Sequence, residues 1–203
     1  LGGADSLAAG DLSPAGHQPM LSRDDRYAVV FNGEIYNYQQ LIPELQTLGH
    51  VFHTRSDTEV IVHAWEAWGA EAFRRFNGQW AIALWDRPTR TLVLARDPFG
   101  VRPLFLCPHR GRLFFASEVK AIFAADPSIP RGFDAAGLAQ TFQFWSTVPP
   151  QSVFAGVTEL DAGECAVACE LLAEQLHRPG RGAVVVNEDA KLRTPRRAFR
   201  EAA

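Results

Sequence analysis

The chain has 203 residues, a formal net charge of −3 and a hydrophobic fraction of 47%. That length fits one domain and that composition supplies a core, so wholesale disorder is excluded. No apolar run approaches the roughly 20 residues that cross a bilayer, and mild acidity disfavours nonspecific nucleic-acid binding. Three cysteines in such a chain do not make a disulfide framework. We therefore expect a cytoplasmic protein with no membrane or nucleic-acid partner.

Aromatic residues divide the chain unevenly. Of the 22 aromatic residues, 21 lie between Tyr27 and Phe154, so the core is expected there. From His177 onward, seven Lys and Arg residues stand against three Asp and Glu residues, a pattern typical of a solvated extension. We predict a partial domain over residues 1–163 and a divergent, weakly ordered tail over residues 164–203.

The hydrophobic pattern predicts an α+β protein with mostly antiparallel sheets. Strands are expected over residues 27–31, 79–85, 91–95, 104–107 and 112–116. Helices are expected over residues 38–48, 56–68, 119–124 and 134–142. Pro43 should lie in the first turn of the first helix and Gly49 just beyond its end. Ser56 and Glu59 match a capping box at the start of the second helix.

The dipeptide Asn32-Gly33 follows the first long strand and is a strong turn signal. At such a turn a backbone N–H and an Asn amide can point into one cleft, and two such donors make an oxyanion hole for acyl transfer. The alternative is a plain hairpin turn, which the dipeptide taken alone favours.

Asp57 lies near the N-terminus of a predicted helix, where the helix dipole keeps a carboxylate ionised. Such a carboxylate can hold a substrate ammonium group, and the alternative is simple helix capping. The residues show no convincing nucleophile: Cys107 is interpreted as a core residue. The six histidines are dispersed without metal-ligand spacing. The charged segment 96–102 is interpreted as a structural loop.

Seven segments, taken in order, resemble a known family. They are GHQPM (16–20), FNGEIYNY (31–38), GH (49–50), SDTEVIVHAWEAWG (56–69), RFNGQWAIALWD (75–86), LARDPFGVRPL (94–104) and FASEVKAI (115–122). Each is weak alone, but together they resemble the glutamine amidotransferase domain of glutamine-hydrolysing asparagine synthetases, over residues 11–163. Class II amidotransferases that act on amino sugars or purines share some of these elements and fit the wording less well.

The resemblance implies a four-layer αββα sandwich of the N-terminal nucleophile hydrolase type, incomplete here at its N-terminus. In that family an N-terminal cysteine attacks the side-chain amide of glutamine, with its own α-amine as base. The released ammonia passes to a synthetase domain that uses ATP and Mg²⁺ to convert aspartate to asparagine. By resemblance, Asn32 and Gly33 form the oxyanion hole, Glu34 lines the glutamine site and Asp57 holds the substrate α-amine. No cofactor or metal is expected in this chain itself.

The first cysteine in the sequence is Cys107, so the nucleophile that the resemblance requires is not supplied by these residues. We therefore expect this chain alone to lack glutaminase activity. The alternative is a catalytically dead module of the same fold that binds glutamine or supports a partner synthetase subunit. The final ammonia acceptor is not decided by the sequence, although aspartate fits the resemblance.

Overall fold

The computed structural model describes residues 18–54, 56–169, 184–187 and 191–193, and it shows two antiparallel sheets. The six-stranded sheet has the order β1-β2-β3-β4-β8-β10, and the four-stranded sheet has the order β7-β5-β6-β9. The strands are β1 (Met20–Leu21), β2 (Tyr27–Ile35), β3 (Gly78–Asp86), β4 (Thr91–Arg96), β5 (Phe105–His109), β6 (Arg112–Ala116), β7 (Thr158–Glu159), β8 (Cys165–Cys169), β9 (Val184–Asn187) and β10 (Lys191–Arg193).

Five α-helices accompany the sheets in the described part of the chain. They are α1 (Tyr38–Thr47), α2 (Asp57–Trp68), α3 (Ala72–Arg75), α4 (Val119–Ala125) and α5 (Ala135–Phe144), with a 3₁₀ turn at Gly69–Glu71. The predicted strands and helices are confirmed, with ends that shift by a few residues. None of the described helices combines the length and apolarity that a membrane crossing requires.

The sequence predicts the C-terminal end of α1 correctly but misplaces Pro43. Pro43 lies inside the helix, so its predicted place in the first turn is wrong. The helix tolerates the lost N–H donor because the rest of its apolar face is anchored by buried Leu41 and Leu45. Gly49 has a φ of 96° and donates to Gln46 O, while His50 N–H donates to Leu45 O. This pair of bonds is a Schellman motif, and it fixes His50 at the helix end.

Helix α2 begins where the capping-box pattern predicts, but the box is only half formed. Ser56 is the N-cap, and its Oγ accepts a hydrogen bond of 3.2 Å from Thr58 N–H. The Glu59 carboxylate turns instead toward the preceding loop and accepts from the N–H groups of His53 and Thr54. The loop before α2 is therefore tied to the helix by a buried carboxylate.

Among the described residues, three hydrophobic clusters lie between four layers of secondary structure. Along β2, Val29 and Phe31 pack toward α1–α3, whereas Ala28 faces the other sheet, because side chains alternate between the faces of a strand. A second cluster lies between the two sheets and includes Trp85, Leu92, Leu94, Leu106, Leu113 and Phe115. The third joins the outer face of β5 and β6 to α4. The order helix–sheet–sheet–helix confirms the predicted αββα architecture.

The predicted turn at Asn32-Gly33 is wrong, because β2 continues through both residues to Ile35. The strand pairs with β3 along its whole length, with Gly33 opposite Trp80. Gly33 has a φ of 149°, and a Cβ placed on it would lie 2.0 Å from Gln79 O. A Cβ on Gly78 would lie 2.1 Å from Glu34 O. The two backbones approach too closely for any side chain here, so these positions require glycine.

Residues Arg96 and Asp97 join the two sheets where the chain leaves β4 for β5. Asp97 is fully buried, and its carboxylate accepts from the N–H groups of Trp80, Phe99, Val101 and Arg102. This set of four donors confirms that segment 96–102 is a structural loop.

The Arg96 guanidinium completes this connection from the other side. It donates to the carbonyl oxygens of Gly100, Arg102 and Leu160 and lies 2.7 Å from the Glu159 carboxylate in β7. Arg96 belongs to the six-stranded sheet and Glu159 to the four-stranded sheet, so a buried ion pair bridges the two.

The segment after residue 163 contributes strands to both sheets. β8 pairs with β4 from Cys165 to Cys169, β10 pairs with β8, and β9 pairs with β6. The rest of the predicted tail lies outside the described residues. A domain boundary after residue 163 stays a prediction.

Replacing Asp97 tests the importance of this loop. Asp97→Ala removes one acceptor from four N–H donors, including buried Trp80 N–H. We expect a loss of about 3–5 kcal/mol in the free energy of unfolding, measured by urea denaturation, because buried polar groups left unpaired are costly. The matched control is Asp126→Ala, which removes an exposed carboxylate that accepts from Ser128 N–H. A loss no larger than the control's would contradict this role.

Candidate functional site

The candidate site lies at the end of β2, where the two sheets meet. Val29, Phe31 and Ile35 point toward the helices, so alternation directs Asn32 and Glu34 toward the side of the four-stranded sheet. There Asn32 Nδ2 donates a hydrogen bond of 2.8 Å to Ser117 Oγ. Ser117 directly follows β6, so a contact between the two sheets holds the Asn32 amide.

This contact gives the Asn32 amide a fixed direction. A carboxamide nitrogen carries two donor hydrogens, and Ser117 takes one of them. The second N–H can donate to a further acceptor, as an oxyanion-hole donor must. Sequence reasoning missed Ser117 as a site residue: it occurs in FASEVKAI (115–122), but nothing local in that motif indicates a partner so distant in the chain.

Gly33 has a packing role that the sequence alone does not reveal. Its missing side chain admits the β3 backbone, and its position next to Asn32 places its main chain at the same end of the strand. Its role as the second oxyanion-hole donor stays a prediction.

Asp57 is the first residue of α2 and is 5% exposed. Its Oδ2 accepts a 3.0 Å hydrogen bond from Ile35 N–H, at the end of β2. Its Oδ1 is buried and accepts no hydrogen bond from any described residue. The N-cap is Ser56, and Asp57 occupies the first helical position, so stabilisation of the helix N-terminus stays an alternative interpretation of Asp57.

Burial raises the pKa of Asp57 above its ordinary value of 3.8, the Ile35 N–H opposes this shift, and the nearby Glu34 charge adds to it. A buried carboxylate with one unpaired oxygen and a second carboxylate nearby costs stability unless a cation compensates it. The arrangement is therefore suited to an ammonium group. Glu34 itself is half-buried beside Asn32.

Two of the chain's cysteines have described side chains, and neither is suited to nucleophilic attack. Cys107 and Cys165 are free thiols that lie in the core. Burial raises the pKa of Cys107, and burial together with the Glu164 charge raises that of Cys165 to about 11. Both remain protonated near neutral pH, and a thiol is a much weaker nucleophile than a thiolate.

The raised pKa of Asp57 predicts that the charge on this residue lowers the stability of the folded state at neutral pH. The folded state binds the Asp57 proton more tightly than the unfolded state, so stability falls as pH rises through the range above 3.8. Asp57→Asn keeps an acceptor for Ile35 N–H and removes the charge. We expect its melting temperature to exceed that of the wild type at pH 7, by a difference that shrinks toward pH 4.

Asp86→Asn is the control of opposite sign for that measurement. Burial alone would raise the pKa of Asp86, but hydrogen bonds from Arg26 and Thr89 outweigh burial and lower it. The ionised Asp86 therefore adds stability that is present at neutral pH and lost in acid, and Asp86→Asn should melt below the wild type at pH 7. If Asp57→Asn also melts below the wild type at pH 7, the cost assigned to the Asp57 charge is wrong.

Comparison with known proteins places the chain in a family. Residues 2–176 match the family model of a glutamine amidotransferase domain. The chain is 38% identical over 157 residues to asparagine synthetase [glutamine-hydrolyzing] 3 of Bacillus subtilis, covering 76% of this chain and 25% of that protein. It is 41% identical over 156 residues to a putative asparagine synthetase [glutamine-hydrolyzing] of Mycobacterium bovis, covering 72% and 24%. The chain thus spans about a quarter of the length of the curated relatives it matches.

The fold matches a solved structure as well. The glutamine phosphoribosylpyrophosphate amidotransferase of B. subtilis superposes with a TM-score of 0.55 at 21% identity, over 87% of this chain and 33% of that one. This likeness confirms the predicted N-terminal nucleophile hydrolase architecture. The family match and the curated relatives show that the chain belongs to the glutamine amidotransferase domain family, as a homologue of the glutaminase domains of asparagine synthetases.

Proposed function

We propose that this domain binds glutamine and supplies ammonia within a longer asparagine synthetase-like enzyme, which forms asparagine from aspartate and ATP. ATP and Mg²⁺ would act in a synthetase domain of that enzyme and not in this one. The curated relatives support the proposal, since this chain is 38% and 41% identical to about a quarter of their length.

The observation that carries the proposal is the unpaired Oδ1 of buried Asp57. Free glutamine has an α-ammonium group, which can donate to this oxygen and neutralise the carboxylate. Oδ2 stays bonded to Ile35 N–H, so the carboxylate has a fixed orientation before the ligand arrives. Preorganised, charge-assisted hydrogen bonds of this kind are among the stronger ones in proteins.

The neighbouring residues in β2 suggest how the rest of glutamine is held. Asn32 Nδ2–H and the Gly33 main chain lie at the same end of the strand as the Asp57 contact. These donors would face the carbonyl oxygen of the glutamine side chain, whose negative charge grows during nucleophilic attack. Glu34 would line the cleft between them. The family's attacking group is a cysteine thiolate. Neither Cys107 nor Cys165 could supply it, because both are buried in the core.

Calorimetry with this chain tests the binding site. Wild type should bind L-glutamine, and Asp57→Asn should bind it at least about tenfold more weakly, because a charged hydrogen bond contributes about 1.5–3 kcal/mol. The control is Asp25→Asn, an exposed residue with a φ of 56°, a conformation that Asn tolerates. Equal affinity in wild type and Asp57→Asn would overturn the assignment of Asp57. The melting experiment on the same variant distinguishes a loss of affinity from a loss of folding.

The second candidate function, a binding module without catalysis, is favoured by the burial of Cys107 and Cys165. We expect this chain to release no ammonia from glutamine above the buffer background, measured by coupled glutamate dehydrogenase assay. Glutamine-dependent release that persists after purification would contradict this expectation.

An experiment on a longer protein that carries both the amidotransferase domain and a synthetase domain distinguishes the two candidate functions. If the domain supplies ammonia, Asp57→Asn should abolish asparagine formation from glutamine and leave formation from ammonium salts intact. If it only binds glutamine or supports the partner domain, the unaltered protein should use ammonium salts alone.

A further inference from the structure

A cluster of metal-ligating side chains lies on the helical layer, away from the site already described. His50 follows the end of α1, and His63 and Glu66 are one turn apart on α2. His63 Nδ1 lies 3.3 Å from Glu66 Oε2, and His50 Nδ1 lies 3.4 Å from the same oxygen. One ligand atom from each residue falls within 4.8 Å of the others. Sequence reasoning missed this cluster because His50 lies beyond the end of α1 and the other two residues lie on α2.

The two distances are compatible with shared coordination of one ion, and His63 Nδ1 and Glu66 Oε2 form a long hydrogen bond without it. Charge-assisted hydrogen bonds between imidazolium and carboxylate are about 2.7–2.9 Å long, so contacts of 3.3 and 3.4 Å are weak by that standard. Zinc binds His nitrogen and carboxylate oxygen at about 2.0–2.2 Å in tetrahedral sites, which places neighbouring ligand atoms roughly 3.3–3.6 Å apart. Two edges of such a tetrahedron are therefore already present.

A second carboxylate supports the orientation of His63. Glu59 Oε1 lies 3.6 Å from His63 Nε2, which is buried and makes no hydrogen bond to a described residue. Glu59 is itself fixed by His53 N–H, Thr54 N–H and Thr54 Oγ–H. Metal-binding histidines commonly direct the non-coordinating N–H toward a carboxylate, which leaves the other nitrogen for the metal. Here that arrangement turns Nδ1 toward Glu66 and His50.

The surroundings allow an ion to enter while limiting ring motion. The side chains of His50, His63 and Glu66 are 18%, 16% and 29% exposed. The Phe52 ring packs edge-on against the His63 ring at 4.7 Å, and the two imidazole rings lie 5.0 Å apart. The Schellman motif at the end of α1 fixes the backbone of His50. These constraints reduce the ordering that binding would require.

We propose that His50, His63 and Glu66 form a zinc site that links the end of α1 to the middle of α2. Two imidazoles with one carboxylate suit Zn²⁺ and disfavour Ca²⁺ or Mg²⁺, which prefer oxygen ligands. Three protein ligands leave one tetrahedral position for water. Binding to the folded state alone would raise stability by mass action. The site contains none of the residues assigned to glutamine, so neither proposal depends on the other.

Zinc titration of this chain, purified without a histidine tag and treated with a chelator, tests the site. We expect one Zn²⁺ per chain by calorimetry and a rise in melting temperature with zinc. Co²⁺ should give the visible absorption of a tetrahedral complex. His50→Ala and Glu66→Gln should each weaken Zn²⁺ binding at least about tenfold. His63 is left unchanged because it packs on Phe52.

His109→Ala is the matched control, since His109 contacts Ser128 in another part of the fold. It should bind Zn²⁺ as the wild type does, and circular dichroism should show that all variants are folded. Either no zinc binding by the wild type, or equal binding by His50→Ala and Glu66→Gln, would overturn the proposal. Equal binding would place the ion on other histidines of the chain.

Discussion

The architecture depends on the buried charges of Arg96 and Asp97, which connect the two sheets. Asp97 satisfies four main-chain N–H groups, and Arg96 pairs with Glu159 and three carbonyl oxygens. Neither charge could be buried without these partners. The six-stranded sheet supplies Asn32 and the four-stranded sheet leads into Ser117, so the hydrogen bond between them also joins the two sheets. The Arg96–Asp97 loop therefore supports the placement of the Asn32 amide by holding the sheets together.

The sequence predicted the elements better than the contacts between them. β3 and β4 are apolar and buried along most of their length, because helices cover one face of their sheet and the second sheet covers the other. Local pattern and tertiary environment therefore agree. Asn32-Gly33 misled because its local turn preference is overridden by the close approach of Gly78 and β3. Pro43 misled because buried Leu41 and Leu45 hold α1 together around it.

The resemblance indicated the four residues of the candidate site, Asn32, Gly33, Glu34 and Asp57. The residue patterns alone were also compatible with a plain turn at Asn32-Gly33 and with helix capping by Asp57. The structure assigns the N-cap to Ser56 instead of Asp57 and replaces the turn at Asn32-Gly33 with a continuous strand. The orphan Oδ1 of Asp57 and the Ser117 partner depend on contacts between distant segments. Such contacts leave no periodic or local signal in the sequence. The proximity of His50 to His63 could not be predicted for the same reason.

The hydrogen bond between Asn32 and Ser117 joins residues separated by 85 positions. Contacts of such long sequence separation form only after a large loop has closed, and they slow folding in proteins dominated by them. The Asn32 amide thus takes its direction only once both sheets have formed and docked. A nascent chain that has not yet produced β6 would have the strand and the helix, but it would not hold that amide in place. The placement of this amide is in this sense a late event in the folding of the domain.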